Sequence, residues 1–295
     1  AISSGKSFHE ALELYPKIFP RLFVAMVKVG EEGGNLAETL KQVGTQMEKS
    51  YMLTKKIKGA MMYPTIIILV MITIAILMMI YVVPSLTGTF KEMNIALPTS
   101  TKLVIFVSDF VSAHYIITLG GFIGSIVGLF AASKTKKGSK IFDYVTLKIP
   151  VIGQIIKEGN SAQTARTLSS LLNSGVDLLL AVKITSEVLQ NYYYKDVLSK
   201  SQAVIEKGEP LSGVFVKESK LYPIFVGEMM SVGEETGRMA PMLAGVATFY
   251  ENEVEQKTKD LSTIIEPVLM VFIGASVGFF AISMIKPIYS IMNNV

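Results

Sequence analysis

Residues 65–83 read TIIILVMITIAILMMIYVV, nineteen positions without a charged side chain. A bilayer's hydrocarbon core is about 30 Å thick, and a helix crosses it with about 20 mainly apolar residues. Ile, Leu and Val each favour lipid by about 0.3 to 0.6 kcal/mol, so the run reads as a membrane span. Two further uncharged runs, YIITLGGFIGSIVGLFAAS at 115–133 and VLMVFIGASVGFFAISMI at 268–285, read as a second and a third. Stretches of this length disfavour the alternative of buried helices in a soluble core. Composition agrees, since 50% of the 295 residues are hydrophobic and the mean hydropathy is +0.46. There is no Cys, which excludes disulfides, thiol catalysis and Cys-ligated zinc or iron–sulfur centres. The 28 basic residues, nearly all Lys, are spread along the chain rather than gathered in a tract that would track phosphates, so nucleic acid is not an expected partner.

Lysines orient the spans. Lys55, Lys56 and Lys58 precede the first, and Lys134, Lys136, Lys137 and Lys140 follow the second. The positive-inside rule then places residues 1–63 and 134–266 in the cytoplasm, with the loop 84–114 and the tail from Lys286 outside. Within that loop Leu103, Phe106, Val107, Phe110 and Val111 recur at helical spacing. They predict an amphipathic helix that lies on the outer interface or prolongs the second span.

Sliding the chain against itself at an offset of 203 exposes a duplication. Pro20 meets Pro223, Met26 meets Met229, and VGEEGG at 29–34 meets VGEETG at 232–237. Ala37, Leu40, Val43, Thr45 and Glu48 recur as Ala240, Leu243, Val246, Thr248 and Glu251, giving 12 identities over residues 20–48, a stretch of 29. In the same register Pro64 and Pro84 fall on Pro267 and Pro287, so the first and third spans start and stop on equivalent prolines. The repeated unit is a cytoplasmic domain plus one span, and the second span returns the chain to the cytoplasm for the second copy. Ala1 aligns with Val204, so the first copy reads as incomplete, as in a truncated chain.

Both copies read as helix. Asp177 is an expected N-cap, Gly208 a stop, and Pro223 an opening residue; the first copy predicts helices at 8–14, 20–32 and 35–62. The fold expected is an all-α membrane protein with two repeated cytoplasmic helical bundles, the first incomplete, and three transmembrane helices. Its divisions are 1–63, the spans 64–133, a second cytoplasmic domain 134–266, and the last span with a short tail, 267–295.

The duplicated acidic heptads then fall at a helix end, where Gly34 and Gly237 supply the positive φ of a C-cap. Carboxylates in a last turn face the negative end of the helix dipole and need a partner. Four readings remain open for Glu31, Glu32, Glu234 and Glu235: a contact to a neighbouring helix N-terminus or Lys within the bundle, a docking surface, a cation site, or acid–base catalysis. Catalysis has least support, because i, i+1 carboxylates point to different faces and no His, Ser or Lys recurs in both copies beside them. No catalytic, cofactor-binding or metal-ligating set is assigned. SGKS at 4–7 imitates the tail of a phosphate-binding loop, but its repeat partner, Lys207 to Pro210, cannot cradle phosphate, so it reads as a turn. His9 and His114 lie on opposite sides of the membrane. The spans carry no Asp, Glu, Lys, Arg or His, which argues against ion-coupled transport. Thr73, Ser276 and Ser283 read as interhelix hydrogen-bonding groups. Gly120, Gly124 and Gly128, and Gly274 with Gly278, have GxxxG spacing for close helix packing within or between subunits.

These residues resemble the inner-membrane platform proteins of type II secretion and type IV pilus assembly, the GspF/PilC family. The duplicated Phe19–Pro20 and Tyr222–Pro223 before VGEExG carry the resemblance, with Tyr250–Glu251, Glu266–Pro267 and the LPTSTKLVIFVSDFVSAHY segment before the second span. It implies a non-enzymatic protein of the bacterial inner membrane, without a cofactor, that couples a cytoplasmic hexameric ATPase to the assembly of pilin or pseudopilin. Other inner-membrane assembly proteins, membrane lipid and further copies of the chain are the remaining implied partners. Glu31, Glu32, Gly34, Glu234, Glu235, Gly237 and Arg238 are the expected docking residues. The alternative class is a transporter or channel subunit built from the duplicated unit.

Overall fold

The protein is described from a computed structural model covering residues 5–92, 99–114 and 131–292, together with residues 117, 118, 120, 121, 124 and 128. Among the described residues every regular element is helical. In order these are α1 (Phe8–Glu13), α2 (Arg21–Glu32), α3 (Leu36–Leu77), a π-helical turn (Met78–Val82), α4 (Val83–Glu92), α5 (Thr99–Ala113), α6 (Lys136–Lys148), α7 (Ile152–Asn173), α8 (Leu178–Val188), α9 (Tyr192–Glu206), α10 (Ser212–Lys217), α11 (Ile224–Thr236) and α12 (Met239–Met292). Contacts divide the chain into two compact units, residues 1–58 with 135–259 and residues 59–134 with 260–295.

The segments read as two cytoplasmic domains contribute to one compact unit, and α7 explains why. Towards α3, the Ser170 hydroxyl donates to Gln46 Oε1 at 2.9 Å and the Ser174 hydroxyl to Gln42 Oε1 at 3.1 Å. Towards α12, Arg166 donates from Nε and a terminal nitrogen to the two oxygens of Glu251 at 2.8 and 2.7 Å, a bidentate pair with Arg166 and Glu251 both largely buried. Ser169 donates to the Ala240 carbonyl at 2.7 Å. An α7 rich in Ser and Thr on both faces thus serves two long helices at once. The aromatic centre of the second copy is Tyr194, Phe215 and Tyr222, with Tyr222 ring centroids 4.9 and 4.5 Å from its neighbours. Buried tyrosines keep partners: Tyr194 donates to the Leu221 carbonyl at 2.7 Å, and Tyr222 pairs with Thr164 at 3.0 Å. Phe19, the counterpart of Tyr222, is only half-buried and packs on the smaller core of Leu12, Val24 and Val27.

In the second unit, Thr65–Ser85 is a helical stretch long and apolar enough to cross a membrane, with mean hydropathy 3.2, and so is a stretch within Met239–Phe279. These cover the first expected span and part of the third; most of 115–133 lies outside the described residues. The π turn frees the Met79 carbonyl, and α5 covers it: Ser108 donates at 2.6 Å and Ser112 at 3.3 Å. The helix expected over Leu103 to Val111 falls within α5. Leu103, Phe106 and Phe110 are 61%, 73% and 59% exposed, whereas Thr101, Val104 and Ser108 are buried. Helix geometry made the apolar stripe visible, but the freed carbonyl selected the hydroxyl face for contact. Thr73 and Ser276 donate to carbonyls four residues back in their own helices, Leu69 and Phe272, rather than across helices.

Close packing at the repeated turns relies on Gly30 and Gly233. A Cβ at Gly233 would lie 2.9 Å from Met239 Cα, a backbone atom that cannot swing away. Gly245 on α12 has nothing within 4 Å of such a Cβ. Gly233→Ala should therefore lower stability by about 1 to 3 kcal/mol through overpacking, while Gly245→Ala should be neutral or stabilising by up to about 1 kcal/mol. Thermal unfolding of the detergent-solubilised chain, followed by circular dichroism, measures both.

Candidate functional site

The acidic heptads form the ends of α2 and α11, and the two copies are built alike. Gly34 and Gly237 have φ of +70° and +69°. After them the chain closes a 6→1 bond, Asn35 N–H to the Gly30 carbonyl at 2.8 Å and Arg238 N–H to the Gly233 carbonyl at 2.9 Å. Each pair of residues is 203 apart, the offset read from the sequence.

The first glutamate of each pair turns inward onto a short helix. Glu31 accepts from the Phe8 and His9 backbone N–H groups at 2.7 and 3.0 Å, at the start of α1. Glu234 accepts from the Leu211 and Ser212 N–H groups at 2.6 and 3.1 Å, at the start of α10. Phe8 and His9 are themselves 203 residues before Leu211 and Ser212, so the contact is duplicated atom for atom. The reading that a neighbouring helix N-terminus partners these carboxylates therefore holds. An anion badly placed at the end of its own helix becomes well placed at the start of another, where N–H groups lack partners and the dipole is positive. At α10 the role is essential, since Leu211 at the N-cap position provides no side-chain cap. At α1, Ser7 adds a capping box with Glu10, which is what the SGKS turn does.

Two contacts were not legible beforehand. His9 Nδ1 lies 2.9 Å from Glu31 Oε2, and the position of His9 is taken by Ser212 in the second copy. Arg166 clamps Glu251, whose recurrence with Glu48 was the signal available. The backbone N–H groups of His9 and Phe8, with the His9 ring, hold the Glu31 carboxyl well down, at about 2.

The second glutamate of each pair faces outward. Glu32 is exposed, 3.9 Å from Lys28, and Glu235 is exposed, accepting from the Ser231 hydroxyl at 3.3 Å. Gly34, Gly237 and Arg238 are exposed beside them. Each turn thus presents one structural carboxylate inside and one solvated carboxylate outside. At Gly120, Gly124, Gly128, Gly274 and Gly278 an added Cβ would meet nothing within 4 Å among the described residues, so these glycines make no close helix contact there.

Helices long and apolar enough to cross a bilayer, in a chain that also carries a duplicated acidic helix cap, are the features of a membrane protein with an internal repeat. The chain belongs to the type II secretion system protein F family, whose pattern matches residues 1–84 and 164–287. The ends of the two matched segments, 84 and 287, keep the offset of 203. It is 33% identical over 290 residues to the type IV pilus assembly protein PilC of Myxococcus xanthus, covering 98% of this chain and 69% of that one. Identity to PilC of Pseudomonas aeruginosa is 32% over 294 residues, 99% of this chain and 78% of the relative. The type II secretion system protein F of Aeromonas hydrophila is 29% identical over 297 residues, 100% and 76% of the two chains.

Glu234→Ala leaves two N–H donors without their charged acceptor and should cost about 1 to 3 kcal/mol. For Glu31 the test is pH. Its carboxyl is lower in the folded state than its ordinary value of 4.5, so its contribution is complete above about 4.5 and is lost as pH falls towards about 2. Unfolding curves between pH 6 and pH 2 should show a steeper acid loss for the parent chain than for Glu31→Gln, which is already weakened at neutral pH.

Proposed function

We propose that the protein is the inner-membrane platform of a type IV pilus or type II secretion machine, multi-pass and with its large helical segments in the cytoplasm. In this role it couples a cytoplasmic hexameric ATPase to the assembly of pilin or pseudopilin. The observation that carries the reading is the duplicated acidic turn inside a match, over nearly the whole of this chain, to pilus assembly and secretion proteins. The role is mechanical and non-enzymatic. The spans face pilin subunits and other inner-membrane assembly proteins, while the divisions 1–63, 134–266 and the three spans serve as the working parts.

The docking face is formed by Glu32, Gly34, Glu235, Gly237 and Arg238, with Glu31 and Glu234 setting its geometry from behind. A carboxylate that ties the end of one helix to the start of another makes the turn stiff. A stiff turn with an exposed charge transmits a push without first absorbing it in local unfolding. Gly120, Gly124, Gly128, Gly274 and Gly278 are left for contact between copies in a homo-oligomer, where small residues allow backbones to approach.

Site-specific photocrosslinking from Arg238 in native cells, read by mass spectrometry, tests the docking face. Capture of an assembly ATPase or its adaptor is expected, and the paired charge reversals Glu32→Lys and Glu235→Lys should reduce it at least tenfold with membrane insertion unchanged. Capture confined to the chain itself would make the turn a contact between copies and refute the docking role.

A further inference from the structure

Helix α6 carries apolar side chains on the face that the bundle leaves open. Ile141, Phe142, Tyr144 and Val145 are 65%, 58%, 47% and 50% exposed, and the following corner adds Ile149 and Val151 at 39% and 45%. The opposite face is committed to the bundle. Asp143 accepts the Tyr192 N–H at 2.9 Å, and Thr146 and Leu147 are partly covered. The corner after α6 fixes this orientation. Val151 has φ +66° and ψ −56°, and the Ile152 N–H donates to the Pro150 carbonyl at 2.8 Å, a γ-turn of the strained hand. A β-branched residue with positive φ is held there only by its surroundings. Gly153 is part of that hold, since a Cβ on it would come within 2.3 Å of the Leu147 carbonyl oxygen.

Charge selects the occupant of the open face. Lys137, Lys140 and Lys148 are exposed around it, and the single acidic residue of the segment 134–148, Asp143, is turned into the bundle. Tyrosines lie among the lysines, with Lys148 Nζ 4.5 Å from the Tyr144 ring centroid and Lys140 Nζ 4.5 Å from that of Tyr192. Apolar side chains bordered by tyrosine and lysine are the composition of a helix lying in the plane of an anionic membrane surface. The apolar run 115–133 ends one residue before Lys134, so α6 follows it with almost no slack.

We infer that α6 lies on the cytoplasmic leaflet, with Ile141, Phe142 and Val145 among the upper acyl chains and the surrounding lysines on anionic lipid headgroups. The inference rests on the reading that residues 115–133 cross the bilayer.

The chain has no native Cys, so single-Cys variants at Phe142 and Val145 accept a fluorescent probe without background. Each labelled chain that keeps the parent unfolding temperature is reconstituted into phosphatidylethanolamine vesicles with or without phosphatidylglycerol. Lipids spin-labelled high on the acyl chain are expected to quench both probes, and aqueous iodide to quench them much less than a probe at the exposed Lys207. Removing phosphatidylglycerol should reverse this order, and neutralising Lys137 or Lys140 should weaken docking about fivefold each. Iodide quenching equal to that at Lys207 would overturn the proposal. Shielding from both quenchers would also overturn it and assign the face to a protein. A probe at Gly124 separates the two readings. If deep-labelled lipid quenches it while the α6 probes stay open to iodide, only the surface proposal fails; if Gly124 is itself open to iodide, the span fails too and the proposal with it.

Discussion

A carboxylate at the end of one helix holding the N–H groups at the start of another is the contact on which the helical unit turns. The link joins α2 to α1 through Glu31 and α11 to α10 through Glu234, across 22 and 23 residues of chain in each case. Short helices of six residues have little stability of their own, because nucleation is costly and half of their N–H groups lack intrahelical partners. A charged acceptor supplied from outside removes that deficit. The bond also orders its surroundings: the glutamate must stand in the last turn, the glycine after it must take a left-handed φ, and the glycine before it must let the next long helix pass within contact distance. One interaction therefore explains why V-G-E-E-x-G is written twice as a block rather than as scattered identities.

The adjacent glutamate has a different task because a helix advances about 100° per residue. When Glu31 and Glu234 face in, Glu32 and Glu235 face out, and the turn gains a solvated charge whose position is set by a hydrogen-bonded one. This division gives the heptad a structural carboxylate and leaves a second one exposed. The same separation between what holds and what shows recurs at α6, where Asp143 secures one face to Tyr192 and leaves lysines and apolar side chains on the other.

Irregularities in the helices mark where packing overrides local preference. The π turn at Met78–Val82 exposes a carbonyl inside an apolar run, and hydroxyls of α5 take it up, so α5 turns its more apolar stripe away from that contact. The Val151 corner places a β-branched residue in a backbone region it avoids, and there the chain turns so tightly that Gly153 comes close against the Leu147 carbonyl.

Much of the architecture was legible in the residues because it depends on short-range chemistry. Uncharged runs report membrane-spanning length, prolines and glycines report helix limits, and an ungapped offset of 203 reports duplication without any knowledge of contacts. The bounds of α1, α2, α8 and α11 follow from caps and stops within a few residues of where they act. What the residues could not decide was which of several possible partners a group takes when that partner is remote in sequence. Glu31 had a helix start, a lysine, a cation and a partner protein open to it; the crossing of α2 and α1 brought N–H donors to within 3.0 Å and closed the choice. The joining of residues 1–58 and 135–259 into one unit is of the same kind, since Gln42 and Gln46 look like solvated residues until α7 and its C-cap present Ser170 and Ser174 to them. Periodicity specifies a helix and its faces, but the facing of one helix to another depends on shape and unsatisfied hydrogen bonds that exist only after the chain has folded.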